Sequence, residues 1–305
     1  MIAVNERRRE IMERAGDLTD ENVAGRSLWV DARERLFRNR AAVVSMGLLA
    51  LIALLAIAGP WLSPHPFDEP DWDFMTSPPF AGVDHWFGTD ANGRDLFVRT
   101  MYGARVSLMV GILATSVALL IGVAYGAIAG YVGGRVDNLM MRFVDIMYSL
   151  PFMFFVIILM VIFGRKIFLI FVAIGAVEWL TMARIVRGQT LTLRKREFVE
   201  AALAAGVSTG TIIRRHIIPN VLGPVVVYVT LTIPQVILFE SFLSFLGLGV
   251  QEPLTSWGVL ISEGAREMET APWMLVFPAF FLATTMFCFN FIGDGLRDAL
   301  DPKDR

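Results

Sequence analysis

Six long apolar runs constrain the fold of this 305-residue chain more than any other feature of its sequence. The first of them, residues 41–63, has no charged side chain over 23 residues, enough for a helix to cross a hydrocarbon core about 30 Å thick. Only 18% of all residues are charged, whereas soluble domains contain about 25%. The sequence therefore predicts an all-α membrane protein with six transmembrane helices.

The spans divide the chain into regions with different expected environments. A charged segment at 1–40 precedes the first span at 41–63, and a Pro- and Asp-rich extracytoplasmic loop follows at 64–104. A core at 105–295 and a short polar tail at 296–305 complete the chain. The core contains the other predicted spans and one long polar loop, in the order 106–132, 143–163, 167–187, the loop 190–219, 220–246 and 272–293.

The distribution of Lys and Arg predicts the orientation in the membrane. Of the 27 basic residues, 21 lie on the side of the N-terminus and five on the opposite side, with Arg105 at a boundary. Because cytoplasmic loops carry the excess of Lys and Arg, we expect both termini and the loop 190–219 to be cytoplasmic. Residues 26–40 have the pattern of an amphipathic helix leading to the membrane, and their arginines also fit a solvated positive flank.

Two features inside the spans are compatible with more than one role. Gly122, Gly126 and Gly130 recur at every fourth residue, which suits either close helix packing or a place along a transport pathway. Glu178 and Glu240 are ionisable residues within predicted spans, so they are candidates for translocation or gating. A hydrogen bond to a neighbouring helix, or an interfacial position, is the simpler explanation for each glutamate.

The polar loop at 190–219 is predicted to hold two short helices outside the bilayer. Apolar residues around Ala202 recur at helical spacing up to Gly206, a residue that commonly ends helices. Ser208 is placed to cap a second helix, whose last turn carries Arg214 and further basic residues. A polar island of this kind between apolar spans indicates a docking element.

The sequence contains none of the motifs that would make this chain an enzyme on its own. It has no G-x-x-x-x-G-K-[ST] phosphate-binding loop, and its three histidines are scattered through polar segments. No Ser/His/Asp set lies at membrane depth. We therefore expect no catalytic residue, no metal site, no cofactor bound by this chain and no nucleic-acid partner.

The polar loop resembles the signature of the permease subunits of ATP-binding-cassette importers, which is E-A-A, three residues, G, and later I-x-L-P. The residues at this spacing are Glu200, Ala201, Ala202, Gly206 and Pro219. Ile218 stands in place of the usual Leu, a mild departure. Other stretches are similar to the dipeptide/oligopeptide/nickel branch of these permeases, and both ends of the chain are similar to its oligopeptide members; these stretches include 87–90, 93–95, 240–249 and 293–302.

The resemblance implies a type I importer permease in the bacterial inner membrane, with spans two to six as its core and span one as a peripheral helix. It also implies a second, homologous permease, two cytoplasmic ATPases that bind ATP and Mg, and an extracytoplasmic peptide-binding protein. The substrates would be oligopeptides. The residues expected to couple the chain to an ATPase are Glu200, Ala201, Ala202, Gly206, Arg214 and Pro219.

Other functions remain open from the sequence. Within the same branch, the chain fits a dipeptide or nickel importer. A secondary transporter would show internal repeats with broken helices and its own ion site, and no clear repeat is visible. A membrane scaffold would need neither the Gly-rich second span nor the Pro-rich fifth span.

Overall fold

The computed structural model describes residues 28–80, 85–164 and 166–300. Within these ranges the regular structure is helical, apart from one isolated bridge between Thr89 and Asp95. The predicted all-α class is confirmed. Most of the predicted charged segment 1–40, and the end of the predicted tail 296–305, lie outside the described residues. The helices, in chain order, are α1 (Leu28–Arg38), α2 (Arg40–Ala58), α3 (Leu96–Val132), α4 (Gly134–Ser149), α5 (Phe152–Phe163), α6 (Ile167–Leu193), α7 (Glu197–Ala204), α8 (Thr209–Ile212), α9 (Ile218–Phe245), α10 (Trp257–Arg266) and α11 (Trp273–Leu300).

Five helical segments of the described chain are long and apolar enough to cross a membrane. Their lengths run from 22 residues in the first to 37 residues in the second and fourth. A sixth crossing is formed if α4 and α5 are counted as one bent span. The five segments are Arg40–Trp61, Leu96–Val132, Ile167–Leu193, Thr209–Phe245 and Trp273–Leu300.

The third predicted span differs most from the structure. Instead of one helix over 143–163, the chain forms α4 and α5, which are bent by 81°. The bend lies at Leu150, whose backbone is extended (φ −79°, ψ 131°). Pro151 explains the bend, because the proline ring disfavours helical geometry in the preceding residue and proline has no N–H to donate.

Helices α3 and α6 form the most closely packed pair of spans, and their glycines explain why. A Cβ atom added to Gly126 would lie 2.4 Å from the carbonyl oxygen of Ala183, and one added to Gly130 would lie 2.8 Å from Cβ of Thr190. Gly122 meets Met182 in the same way, at 2.5 Å. Of the two roles left open by the sequence, the structure therefore supports close packing.

Several helices extend beyond the predicted spans. Helix α3 begins at Leu96 rather than at 106, because the Asp95 carboxylate accepts a hydrogen bond of 2.8 Å from the N–H of Val98 and so caps the helix outside the apolar run. Helix α6 continues to Leu193, and α11 continues to Leu300, through half of the predicted tail. The long helices therefore reach out of the membrane toward the polar segments.

Candidate functional site

Helix α7 and its C-terminal turn carry the signature residues of the polar loop. Gly206 adopts a left-handed conformation (φ 76°). Its N–H donates to the carbonyl of Leu203 at 3.0 Å, and the N–H of Val207 donates to the carbonyl of Ala202 at 3.1 Å. This pair of hydrogen bonds is a Schellman motif, which satisfies the last carbonyls of a helix. The predicted helix end at Gly206 is confirmed.

One face of α7 attaches the helix to the rest of the protein. Val199 is buried against Ile212 and Ile217, and Ala202 packs on the same apolar cluster. The cluster also contains Val186 of α6. Because it joins α7 to residues from α6 and from the segment that leads into α9, movement of α7 is mechanically linked to two membrane helices.

The other face of α7 is largely exposed, and Phe198 on this face makes one ring contact, with His216, at 6.3 Å between the ring centroids. Leu203 is 62% exposed and Phe198 41% exposed, on a helix whose remaining exposed apolar residues are alanines. Glu200 is exposed as well. A groove of about 480 Å³ runs beside it, lined by Tyr131, Leu191, Arg194, Lys195, Val199, Glu200 and Leu203. A patch of exposed apolar residues with a charged rim is typical of a protein-binding surface.

The second half of the polar loop differs from the prediction of a separate short helix. Helix α8 passes through a π-helical turn, Ile213–Ile217, directly into α9. In this turn the N–H of Ile218 donates to the carbonyl of Ile213, five residues back. The following Pro219 lacks an N–H and its ring would crowd the carbonyl four residues earlier, and the wider turn accommodates it without a break. The loop is thus continuous with a membrane helix.

The remaining predicted residues of the loop lie on this continuous segment. Arg214 is exposed in the π-helical turn, and Pro219 is exposed at the start of α9. Ser208 occupies the N-cap position of α8, but its hydroxyl is 2.9 Å from the hydroxyl of Thr211 and makes no capping bond to the backbone. The structure therefore brings the signature residues together in one region, built from α7, the segment before α9 and the first residues of α9.

The two membrane glutamates have different environments. Glu178 is half-buried in α6 and lies close enough to Tyr228 of α9 to interact electrostatically with it. Tyr228 lines a cleft of about 540 Å³ between α6, α9 and α11, together with Ile185, Gln189, Pro224, Val227, Leu231, Arg297 and Leu300. Glu178 thus stays a candidate for the pathway, through Tyr228.

Glu240 is fully buried, so a substrate cannot contact it in this conformation. Its Oε1 accepts hydrogen bonds from Ser244 at 2.7 Å and from Ser256 at 2.6 Å, and its Oε2 is 3.4 Å from the hydroxyl of Ser107. These serines belong to α9, the N-cap of α10, and α3. The structure supports the simpler explanation from the sequence, a hydrogen-bonded link between helices.

An ion-pair cluster with a buried centre, at the opposite end of the bundle, was missed by the sequence interpretation. Asp90 accepts a hydrogen bond of 2.7 Å from Nε of Arg94 and lies 3.3 Å from Nε of Arg99. Arg94 also pairs with Glu252 at 3.0 Å, and Arg99 with Glu263 at 3.1 Å. Burial raises the pKa of Glu263, and the nearby Arg99 opposes that rise. The cluster ties the start of α3 to α10 and to the loop before it.

The sequence interpretation placed Arg99 in the predicted loop 64–104 and did not single it out. In the structure Arg99 lies within the first turns of α3 and is fully buried. A charged residue in such a place needs a partner of opposite charge. The partner Glu263 lies 164 residues further along the chain, and no local pattern reveals that pairing.

Comparisons with known proteins agree with the fold. The model of a family described as "Binding-protein-dependent transport system inner membrane component" matches residues 122–305. A second model, described as the N-terminal TM domain of oligopeptide transport permease C, matches residues 27–79. A chain of the MetNI methionine ABC transporter, solved in inward-facing conformations, has a TM-score of 0.56 at 17% identity, over 68% of this chain and 96% of that chain. This likeness shows a shared fold.

Curated relatives match over nearly the whole length. The "Oligopeptide transport system permease protein OppC" of Haemophilus influenzae is 58% identical over 303 residues, which cover 99% of this chain and 97% of the relative. The protein of the same description in Escherichia coli K12 is 60% identical over 283 residues, covering 93% and 94%. The "Dipeptide transport system permease protein DppC" of Bacillus subtilis is 48% identical over 276 residues, covering 90% and 86%. The chain therefore belongs to the family of inner-membrane components of binding-protein-dependent transport systems, the permeases of ATP-binding-cassette importers.

Proposed function

We propose that this chain is one of two homologous permease subunits of an ATP-driven importer of oligopeptides in the bacterial inner membrane. The similarity to OppC proteins over nearly the full length supports the substrate class. The exposed face of α7 supports the mode of action, because it is an exposed apolar surface on an element anchored to two membrane helices. That anchored surface is the observation on which the proposal rests.

In the proposed complex, α7 sits in a groove of a cytoplasmic ATPase subunit. The small side chains of Ala201, Ala204 and Ala205 allow the helix to approach the partner closely, and Leu203 supplies the apolar anchor. Glu200 and the exposed Arg214 set the orientation by charge contacts. ATP and Mg bind to the ATPase subunits, and this chain performs no hydrolysis itself.

The mechanical step follows from how α7 is attached. When ATP binding brings the two ATPase subunits together, each docked helix moves with its partner. Val199 passes the movement to Ile212 and Ile217, and the continuous helix from α8 into α9 carries it into the membrane. Helix α6 moves as well, because Val186 belongs to the same cluster. The cleft near Tyr228 lies between these helices and changes shape with them.

The remaining partners and the orientation belong to the same proposal. Both termini and α7 face the cytoplasm, as the excess of Lys and Arg on that side supports. The other side, which carries the loop 64–104 and helix α10, receives the extracytoplasmic peptide-binding protein. A second permease completes the pathway, since one chain provides only half of its wall.

Uptake measurements in a strain that lacks this chain test the substrate class. We expect the strain to lose uptake of tripeptides to pentapeptides, and to regain it when the chain is supplied. Relatives described as dipeptide permeases favour dipeptides as the second candidate. Loss of dipeptide uptake with intact oligopeptide uptake would support that candidate, and loss of nickel uptake alone would contradict both.

A further inference from the structure

Helix α1 exposes three large apolar side chains on one face. Trp29 is 52% exposed, Val30 51% and Phe37 58%. At 100° per residue these three positions fall within an arc of about 100° on the helix surface. Large apolar residues grouped in this way on a short polar helix indicate contact with something other than water.

The neighbouring side of α1, next to Trp29, is already used within the chain. Ala32 is buried, and Leu36 packs against α11 beside Gly295. A Cβ atom added to Gly295 would lie 3.2 Å from Cδ1 of Leu36 and 2.7 Å from Cβ of Ala42 in α2. The helix is therefore held by the side that carries Ala32 and Leu36, and the arc with Trp29, Val30 and Phe37 is its exposed outer face.

Helix α1 also lies at the end of a membrane span. Asn39 separates α1 from α2 with an extended backbone (φ −77°, ψ 102°), and its side chain accepts a hydrogen bond of 3.2 Å from the N–H of Ala42. The capped helix α2 is the first apolar span, and it exposes Val44 and Leu51. A helix that is joined by one residue to the end of a span lies at the level of the lipid headgroups.

Positive charges accompany the apolar face. Arg33, Arg38 and Arg40 are exposed, and the guanidinium carbon of Arg33 lies 5.9 Å from the ring centroid of Phe37. Arginine side chains can place their aliphatic part along apolar groups and their charge at the surface. Tryptophan is enriched at membrane interfaces, and clusters of basic residues beside a span bind anionic lipids.

We propose that the outer face of α1 binds the membrane surface, with Trp29, Val30 and Phe37 among the upper acyl chains and Arg33, Arg38 and Arg40 on the phosphates of anionic phospholipids. The contact holds the end of α11, onto which α1 packs, at a fixed depth. The lipid contact itself does not require the proposed substrate or ATPase partner. Only its assignment to the cytoplasmic leaflet depends on the orientation proposed above.

Quenching by brominated lipids tests the contact in the assembled transporter. Single cysteines at Phe37, Glu34 and Val44 are labelled with a fluorophore in a Cys288→Ala background, since Cys288 is the chain's one cysteine. Val44 reports lipid contact of the span, and Glu34 is an exposed position outside the apolar arc of α1. We expect phosphatidylcholine brominated near its headgroup to quench the label at 37 strongly and the label at 34 weakly.

Other results would identify other occupants of this face. If the label at 44 is quenched and the label at 37 is not, α1 does not contact lipid and the proposal is wrong. Protection of the label at 37 from both lipid and aqueous quenchers would indicate a protein partner instead. Quenching at 37 by aqueous iodide alone would indicate a solvated helix.

The second measurement concerns headgroup charge. Brominated phosphatidylglycerol and brominated phosphatidylcholine are compared as quenchers of the label at 37, which gives the preference for the anionic lipid. We expect this preference to fall about fivefold for each of Arg33, Arg38 and Arg40 replaced by Gln, and to persist with Lys. Co-purification of the complex verifies that each variant assembles. Equal quenching by the two lipids in the unaltered chain would overturn the role of the arginines.

Discussion

The hydroxyl of Ser256 donates a hydrogen bond of 2.6 Å to the buried carboxylate of Glu240 and accepts one of 3.2 Å from the N–H of Val259. Ser107 has the same double role, with its hydroxyl 3.4 Å from Glu240 and 3.1 Å from the N–H of Trp257. Two serines from different parts of the chain thus connect one carboxylate to the first turn of α10. Glu240 is therefore a structural link between α3, α9 and α10.

Substitutions of Glu240 should separate hydrogen bonding from charge. A glutamine can keep both bonds at Oε1 and donate its amide N–H to Ser107, so Glu240→Gln should change the free energy of unfolding by only about 1 kcal/mol. Glu240→Ala leaves three hydroxyls without their partner beside a cavity, and should cost about 3 kcal/mol or more. Thermal unfolding of the purified complex measures both. Equal losses in the two variants would show that the charge, rather than the hydrogen bonds, is what matters.

Even one methyl group added at Gly126 should destabilise the protein. Gly126→Ala places Cβ against the carbonyl oxygen of Ala183, and the strain should destabilise the protein by about 1–3 kcal/mol. Gly188 is the matched control, since it lies in α6 and a Cβ added there meets nothing within 4 Å. Thermal unfolding should show a lower midpoint for Gly126→Ala and an unchanged or higher one for Gly188→Ala. If both alanine variants unfold at the same temperature, the close packing of α3 on α6 does not determine the stability of the protein.

The stabilisation provided by the ion-pair cluster of Arg94 and Arg99 should depend on Asp90. This carboxylate is 1% exposed and holds Arg94 and Arg99, so Asp90→Asn leaves buried positive charges with less compensation and should cost about 3 kcal/mol or more. Asp68→Asn, on the same loop but exposed, should have little effect. The midpoint of thermal unfolding distinguishes the two. A neutral result for Asp90→Asn would mean that the cluster contributes little to stability.

The left-handed Gly206 predicts a graded effect on coupling. No atom lies within 4 Å of an added Cβ, so the cost of a substitution comes from the backbone conformation alone. Asparagine tolerates this conformation, alanine costs about 1 kcal/mol and the β-branched valine more. Peptide-stimulated ATP hydrolysis by the assembled importer should therefore be highest with Asn at position 206, lower with Ala and lowest with Val. An order that follows side-chain volume instead, with Ala the least harmful, Asn intermediate and Val the most harmful, would refute this explanation.

How far the sequence predicted the structure differs from element to element. The uncharged runs predicted the apolar spans, because the length and apolar character of a run are enough to identify a helix that crosses a membrane. The helix end at Gly206 was predictable as well, since its cause is local. The bend before Pro151 could have been predicted from the proline itself, but the prediction followed the hydropathy of 143–163 and gave one straight span.

Other features depend on contacts between distant residues. The pairing of Arg99 with Glu263 joins α3 to α10, and the contact of Glu240 with Ser107 joins α9 to α3 across 133 residues of sequence. The continuity of α8 with α9 was not predicted, because Pro219 suggests a break and the π-helical turn that avoids it has no clear sequence signal. Tertiary packing decides these cases.

The central claim is that α7 couples this chain to a partner ATPase, and Leu203→Arg in the reconstituted importer tests it most directly. Thr192→Arg is the control, because Thr192 is also exposed and lies in the last turn of α6, where it does not line the groove beside α7. We expect ATP hydrolysis stimulated by peptide and binding protein to fall about tenfold or more in Leu203→Arg, with unchanged membrane insertion, and to persist in Thr192→Arg. Full stimulation and full peptide uptake with Leu203→Arg would contradict the claim.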